Sequence, residues 1–259
     1  MIAAVVQARM GSTRLPGKTL ADVGGEPMLA RLVARARRVS GVEQVIVATT
    51  EQPADQAILW FAADHGLPAY AGSEDDVLDR FYQTARRYDV STIVRLTPDC
   101  PLLDPAVSGR VLARFLEGRG AVDYASNTHP PTFPDGLDTE IVSFDALERA
   151  WREASEPSER EHVTSYIWKH PELFRLVNVA HDPDLSALRW TVDEAADLEF
   201  ARAVYRHLAG ASDAFGMDDV LELLRRHPEI ESINRGTERN EGYAKSLRAD
   251  HIVGGSGKR

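Results

Sequence analysis

The segment Gln7–Lys18, QARMGSTRLPGK, sets three cations, Arg9, Arg14 and Lys18, among Gly11, Ser12, Thr13 and Gly17. Glycines let backbone N–H groups come close to an anion, and the cations offset the charge of a polyphosphate. Arginine suits bidentate phosphate contact, and lysine brings a mobile point charge. The whole chain carries a formal net charge of −10. A basic cluster on an acidic protein is poorly explained by solubility, so a triphosphate cradle outweighs a surface turn with solvated charges. A second loop carries Asp99 between Pro98 and Cys100-Pro101. A carboxylate held there can ligate Mg²⁺ that bridges nucleotide phosphates, although a turn aspartate would look the same. Asp193 closes the run TVD, with Asp197 four residues on inside a helical pattern. An aspartate there also suits a helix N-cap.

The first segment is not a P-loop. GxxxxGK[ST] would find its end in Gly17-Lys18-Thr19, but the first glycine position holds Ser12, and Gly11 is one residue too far. A P-loop also runs into its helix at the lysine, whereas here a second turn, Asp22–Gly25, and Pro27 intervene.

These loops need strands to hold them. Ile2–Val6, Val45–Thr49, Ala69–Ala71 and Thr92–Leu96 read as short buried strands. Between them lie amphipathic stretches carrying Met28, Leu29, Leu32, Val33 and Ala36, then Ile58 and Leu59, then Val77, Leu78, Phe81 and Ala85. Val107, Val111, Leu112 and Phe115 give the next helix. This alternation predicts an α/β fold with a mainly parallel, Rossmann-like sheet covered by helices on both faces. Ligands then sit at the carboxyl ends of the strands, where the loops after Val6 and Leu96 emerge.

The second half is less regular. Asp123–Ser126 and Glu140–Phe144 read as strands around the loop NTHPPTFPDG, and Asp145 with Glu148 as a capping box for the helix that follows. Ser158–Lys169 reads as one helix, Leu173–Val179 as extended, Arg189–Val192 as a last sheet strand, and Ala195–Leu208 and Met217–Arg226 as helices. A single domain over 1–250 is expected, with an α+β substrate and dimerisation segment at about 124–180 and a flexible tail at 251–259.

Hydrophobic residues at 43% and charged residues at 27% are ordinary globular composition, and 259 residues can bury a sizeable core. The acidic balance disfavours nucleic acid as a partner. Cys100 is the only cysteine, so no disulfide can form within the chain. No partner pattern marks it as a nucleophile, and a small buried thiol is expected. The apolar N-terminal run is too short for a membrane span, and a cytoplasmic location is the default.

QARMGSTRLPGK and its continuation TLADVGGEPM resemble the cytidylyltransferases that activate acidic sugars, the acylneuraminate and 3-deoxy-manno-octulosonate enzymes among them. Similarity to the spore coat polysaccharide (SpsF-like) branch extends over almost the whole chain. It runs through GSEDDVLDRF (72–81), RLTPDCPLLDP (95–105), DGLDTEIVSFDALERAW (135–151), SEREHVTSYIWKHPELF (158–174), RWTVDEAADLEF (189–200) and RNEGYAKSL (239–247). The resemblance implies a nucleotide-diphospho-sugar transferase type of fold. It also implies transfer of CMP from CTP to a sugar or acidic sugar, with Mg²⁺ on Asp99 and Asp193 and release of pyrophosphate.

Arg9, Arg14 and Lys18 would then hold the β- and γ-phosphates with the backbone of Gly11, Ser12 and Thr13. Backbone groups of Gln7, Ala8 and Arg9, together with Thr97, would read the base, and Arg80 would lie near the nucleotide or sugar, although a solvated helix charge would look the same. On the substrate side, Asp135, Asp138 and Glu140 precede a strand and could bond sugar hydroxyls, and Glu161 and His162 could meet the same pocket. A homodimer formed through about Tyr124–Val179 is implied as well. GTP, UTP or dTTP remain alternative donors. A GT-A glycosyltransferase should show a D-x-D-like motif, yet Cys100-Pro101 follows Asp99. A degenerate nucleotide-binding module would be favoured by loss of Lys18 or either aspartate, and all three are present.

Overall fold

The structure, a computed structural model, describes residues 1–118, 120–210, 214–236, 246, 247 and 250. The tail at 251–259 and most of RNEGYAKSL lie outside the described residues. Strand β1 (Ile2–Gln7) is followed by α1 (Met28–Ala36), β2 (Gln44–Thr50), α2 (Gln56–Asp64), β3 (Ala69–Gly72), α3 (Val77–Arg87), β4 (Thr92–Leu96) and α4 (Pro105–Glu117). Then come β5 (Tyr124–Ser126), β6 (Glu140–Ser143), α5 (Phe144–Glu153), α6 (Pro157–Glu161), α7 (Ser165–Lys169) and β7 (Leu176–Asn178). Helices α8 (Ala195–Leu208), α9 (Met217–Arg226) and the single turn α10 (Pro228–Glu231) close the order.

The seven strands form one sheet in the order β3-β2-β1-β4-β6-β5-β7. All neighbours are parallel except β6, which runs against both β4 and β5. Apolar β1 is buried because both its edges are paired and both its faces are covered. Ala4, Val6 and Val94 meet Leu29, Leu32, Ile58, Val111 and Leu112 on one face. Ala3, Val5 and Ile93 meet Leu78, Phe81, Leu147 and Ile167 on the other. A third cluster joins Phe133, Trp190 and Val192 to Phe200, Tyr205, Leu223 and Leu224 of α8 and α9.

This order fixes where a ligand can enter. From β1 the chain winds outward through β2 and β3, then returns to place β4 on the other side of β1. The crevice between neighbours whose connections depart in opposite directions is the binding position of open α/β sheets. Here its rims are the loops after β1 and β4.

Three expected elements differ from the structure. The stretch Ser158–Lys169 is two short helices, broken at 162–164, where Val163 adopts φ 51°. That left-handed conformation is costly for a β-branched residue. The break turns Thr164 inward, where its hydroxyl donates to the buried Glu140 carboxylate. The capping box at Asp145 and Glu148 is absent because the chain leaves β6 earlier: Ser143 caps α5, accepting from Ala146 N–H at 3.2 Å. Arg189–Val192 is extended but is not a strand of the sheet. It pairs with loops instead, through Trp190 N–H to Asp135 O (2.6 Å) and Val192 N–H to Asp99 O (2.8 Å).

This brace requires Gly136, at φ 108°, since a Cβ there would lie 2.7 Å from both Trp190 C and Thr191 N. Gly136→Ala is therefore expected to cost about 2–5 kcal/mol through clash and strain. The thermal midpoint should fall by roughly 5–15 °C for a chain of this size. A midpoint within ~2 °C of the parent's would show that the brace does not pack as described.

Candidate active site

Beyond Gln7 the chain leaves the sheet and closes a compact loop. Ala8 N–H still reaches Ala48 O at 3.0 Å, and Met10 O accepts from both Ser12 N–H (3.0 Å) and Gly17 N–H (3.1 Å). The Thr19 hydroxyl donates to Arg9 O at 2.7 Å. Gly17 at φ 74° makes the turn that starts the single 3-10 turn Lys18–Leu20. Gly11, Thr13 and Arg14 are exposed, and the N–H groups of Arg9, Gly11 and Thr13 have no partner among the described residues. The loop thus offers backbone donors with cations around them, which is the local requirement for anion binding.

Lys18 points from this loop across the crevice. Its ammonium donates to Asp99 Oδ2 (3.0 Å), Val192 O (2.8 Å) and Asp193 Oδ1 (2.9 Å). The side chain is only 11% exposed. Burial alone would lower its pKa, but the charges of Asp99 and Asp193 and the bonds to them raise it above the ordinary lysine value. Burial pushes Asp99 the other way and is likewise overcome, by Lys18 and by a bond from Thr97, so its pKa is held below the usual carboxylate value. Three segments far apart in sequence thereby place an ammonium and two carboxylates at one point.

Asp193 is shared further. Arg14 Nη2 reaches Asp193 Oδ1 at 2.9 Å, and Arg189 Nη2 reaches its Oδ2 at 3.0 Å. Arg189, 8% exposed, also meets Asp197 (3.0 Å) and Asp135 (3.4 Å). Asp197 is buried and accepts from the N–H groups of Asp193 and Glu194, both at 2.9 Å, and from Asn234 Nδ2 at 2.9 Å. Asp193 is therefore not the N-cap of α8. That position is Glu194, and Asp197 takes both freed N–H groups. Burial would raise the Asp197 pKa, but bonds from Arg189, Asn234 and the two N–H groups outweigh it and hold it below the ordinary value.

The remaining residues singled out in the sequence fall into three groups. On the loop side, the Ala8 N–H and Arg9 carbonyl are used internally, and the Gln7 amide oxygen accepts from Arg95 Nη2 at 3.2 Å. Thr97 Oγ1 lies 3.3 Å from Cys100 Sγ. The Cys100 thiol is buried, and burial together with the Asp99 and Asp138 charges raises its pKa well above normal, the reverse of what a nucleophile needs.

Arg80 is 2% exposed and so is not a solvated helix charge. Its Nη1 donates to Ser73 O at 2.6 Å, while its Nε has no partner among the described residues. Burial, then repulsion from Arg9, pushes its pKa down to about 10.

The substrate-side residues do not form one open set. Glu140 is 7% exposed and accepts from Tyr124 OH (2.6 Å), from Thr164 and from Arg95. Its carboxylate is committed to that network, which in turn fixes Gln7. Asp135 is buried against Arg189, whereas Asp138 is half-buried. Glu161 and His162 meet Ser246, at 2.6 Å and 3.0 Å. Sequence reasoning missed Arg189, Arg95 and Asn234. A lone arginine inside the apolar run TIVRL was the available signal for Arg95, and the spacing of Arg189, Asp193 and Asp197 was the signal for Arg189.

A family model described as cytidylyltransferase matches residues 3–209. An uncharacterised protein of Methanocaldococcus jannaschii is 34% identical over 90% of this chain and 94% of its own length. The spore coat polysaccharide biosynthesis protein SpsF of Bacillus subtilis is 32% identical over 87% and 94%. Among solved structures, a cytidylyltransferase from Leptospira borgpetersenii superposes with a TM-score of 0.86 at 31% identity, covering 92% of this chain and 99% of that one. A CMP:2-keto-3-deoxy-manno-octonic acid synthetase complexed with CTP shares the fold at a TM-score of 0.59 and 21% identity, covering 80% of this chain and 98% of that one. No helix among the described residues is long and apolar enough to cross a membrane.

Proposed function

Since the chain belongs to the cytidylyltransferase family, we propose that it transfers CMP from CTP to a hydroxyl of a sugar or sugar acid and releases pyrophosphate, in polysaccharide or modified-sugar biosynthesis. The observation that carries this reading is the meeting of Lys18 with Asp99 and Asp193 at the end of the cationic loop, over the β1/β4 crevice.

The donor set suits a hard divalent cation. Asp99 and Asp193 turn carboxylate oxygens toward one position, where the Lys18 ammonium stands as an internal cation. Mg²⁺ commonly takes one or two carboxylates and completes its shell with phosphate oxygens and water. When bound, Mg²⁺ would supply positive charge at the α-phosphate and at the acceptor oxygen.

The chain's own groups position and neutralise. The backbone donors around Gly11–Thr13, with Arg14 and Lys18, hold the β- and γ-phosphates and stabilise the departing pyrophosphate. Lys18 and Arg14 exchange carboxylate oxygens for phosphate oxygens as the nucleotide arrives. The acceptor hydroxyl then attacks the α-phosphorus in line with the bond to the leaving pyrophosphate. Little covalent work falls to the protein, so orientation and charge carry the rate. Gln7, Ala8, Arg9, Thr97 and Arg80 border the base and ribose. Half-buried Asp138, with Glu161 and His162, borders the acceptor, while Asp135 is engaged by Arg189 and Glu140 braces Arg95. Two copies pair through the segment around β5–β7, where β7 leaves a half-buried sheet edge.

The direct test is pyrophosphate release from CTP, UTP, GTP and ATP, each with Mg²⁺ and a panel of sugars, acidic sugars and sugar phosphates. The expected result is turnover with CTP that stops in excess chelator and returns with Mg²⁺. Turnover with another triphosphate alone would reassign the donor. Stabilisation by nucleotide-sugars without any response to triphosphates would replace the reading with a glycosyltransferase.

A further inference from the structure

Asp55 occupies the N-cap position of α2, yet its side chain makes no cap hydrogen bond. Aspartate at that position ordinarily accepts from the helix's own first N–H groups. Here the carboxylate turns away from the helix. It accepts the Met10 N–H at 2.6 Å, from the loop 45 residues earlier, through Oδ1, and the Thr50 hydroxyl through Oδ2. Asp55 is 2% exposed and Thr50 1%. A buried acidic group beside an anion-binding loop works against anion affinity unless it does something specific, because like charges repel and burial is costly.

The bond to Met10 explains the placement. Met10 is the hinge of the loop, since its carbonyl gathers both Ser12 N–H and Gly17 N–H. Asp55 on the Met10 N–H and the Thr19 hydroxyl on Arg9 O hold both polar groups of the Arg9–Met10 peptide, which fixes the approach to the next peptide, the one carrying the Met10 carbonyl and the Gly11 N–H. The unpartnered N–H groups of Gly11 and Thr13 belong to the next residues of the same turn. Thr50 locks the other carboxylate oxygen, and the Thr50 hydroxyl in turn accepts Gln52 N–H at 3.1 Å. Strand β2, the segment before α2 and the loop after β1 are thereby tied at one carboxylate.

We propose that Asp55 is a positioning residue for triphosphate binding: by holding the Met10 N–H it presents the Gly11–Thr13 backbone to the β- and γ-phosphates. This rests on the nucleotide reading above. CTP and CMP separate the two ideas, because only CTP carries the phosphates that this loop would hold. In calorimetric titrations with Mg²⁺, Asp55→Ala should weaken CTP binding about tenfold to a hundredfold, the range of one hydrogen bond to a charged group. CMP affinity should stay within about twofold of the parent's. Asp55→Asn, which keeps an acceptor for Met10 N–H, should restore most of the CTP affinity. Thr50→Val, which frees one carboxylate oxygen, should give a smaller loss of CTP affinity with the same selectivity, and it serves where Asp55→Ala does not fold. Equal losses for CTP and CMP, or unchanged CTP affinity in folded Asp55→Ala and Thr50→Val, would overturn the proposal. A parent protein that binds CTP no more tightly than CMP would overturn the reading of the loop itself, and this proposal with it.

Discussion

Lys18→Met is expected to lower pyrophosphate release from CTP by about 10²–10³-fold, the usual effect of deleting one preorganised electrostatic contact to a developing charge. Methionine keeps much of the stem's packing and removes only the ammonium. Two consequences of that removal oppose each other. The leaving pyrophosphate loses a cation, while Asp99 and Asp193 lose the charge that stands between them. Asp193 retains Arg14 and Arg189, but the Asp99 carboxylate, among the described residues, keeps the bond from Thr97 and a long contact from the Cys100 thiol. The nucleotide-free variant should therefore be destabilised, and it should bind Mn²⁺ more tightly than the parent, because no ammonium competes for the carboxylates. Rate loss with weaker Mn²⁺ binding would show that Lys18 helps to build the carboxylate pair. Full turnover in a folded variant would remove Lys18 from the mechanism.

Arg189→Leu should produce the largest loss of stability. Arg189 is 8% exposed and spans Asp135, Asp193 and Asp197. Exposed ion pairs contribute at most about 1 kcal/mol, but removing one partner of a buried cluster strands the other's charge and costs about 3–5 kcal/mol. Asp197 suffers most, being 1% exposed at its side chain. The pH profile carries a second signature. The Asp197 pKa is depressed in the fold, so its contribution is complete above the unfolded carboxylate value of about 3.9 and is lost as pH falls below it. The variant has less of that contribution to lose, and its stability should fall less steeply on acidification. Chemical unfolding at neutral and acid pH measures both. A loss under ~1 kcal/mol at neutral pH would mean that the cluster is effectively solvated.

The α/β half of the fold was legible because its strands are buried on both faces and its helices repeat with one apolar side, so periodicity alone separates them. The first loop was legible for another reason: cations and glycines at close spacing on an acidic chain have few structural uses. The second half resisted because its elements are set by distant polar partners. Thr164 breaks a helix to reach Glu140, and 189–192 pairs with the loops at Asp135 and Asp99 rather than with a strand. Neither event leaves a periodic trace. Glu140 shows the limit most clearly. A carboxylate before a strand looks like a sugar contact, but its register opposite Arg95 commits it to a buried pair. Asp55 was invisible because an aspartate before a helix is the ordinary cap signal, and its carboxylate turns instead to a loop 45 residues earlier in the chain.

The proposed transfer requires one cleft in which the loop after β1 holds a triphosphate while Asp99 and Asp193 hold its divalent ion. Titration of CTP into the parent and into Asp99→Asn, each with Mg²⁺ and with chelator, tests this without knowledge of the acceptor. The parent should bind CTP at least about tenfold more tightly with Mg²⁺, and Asp99→Asn should bind it equally weakly in both conditions. Full Mg²⁺ dependence retained in Asp99→Asn would place the ion elsewhere and contradict the account.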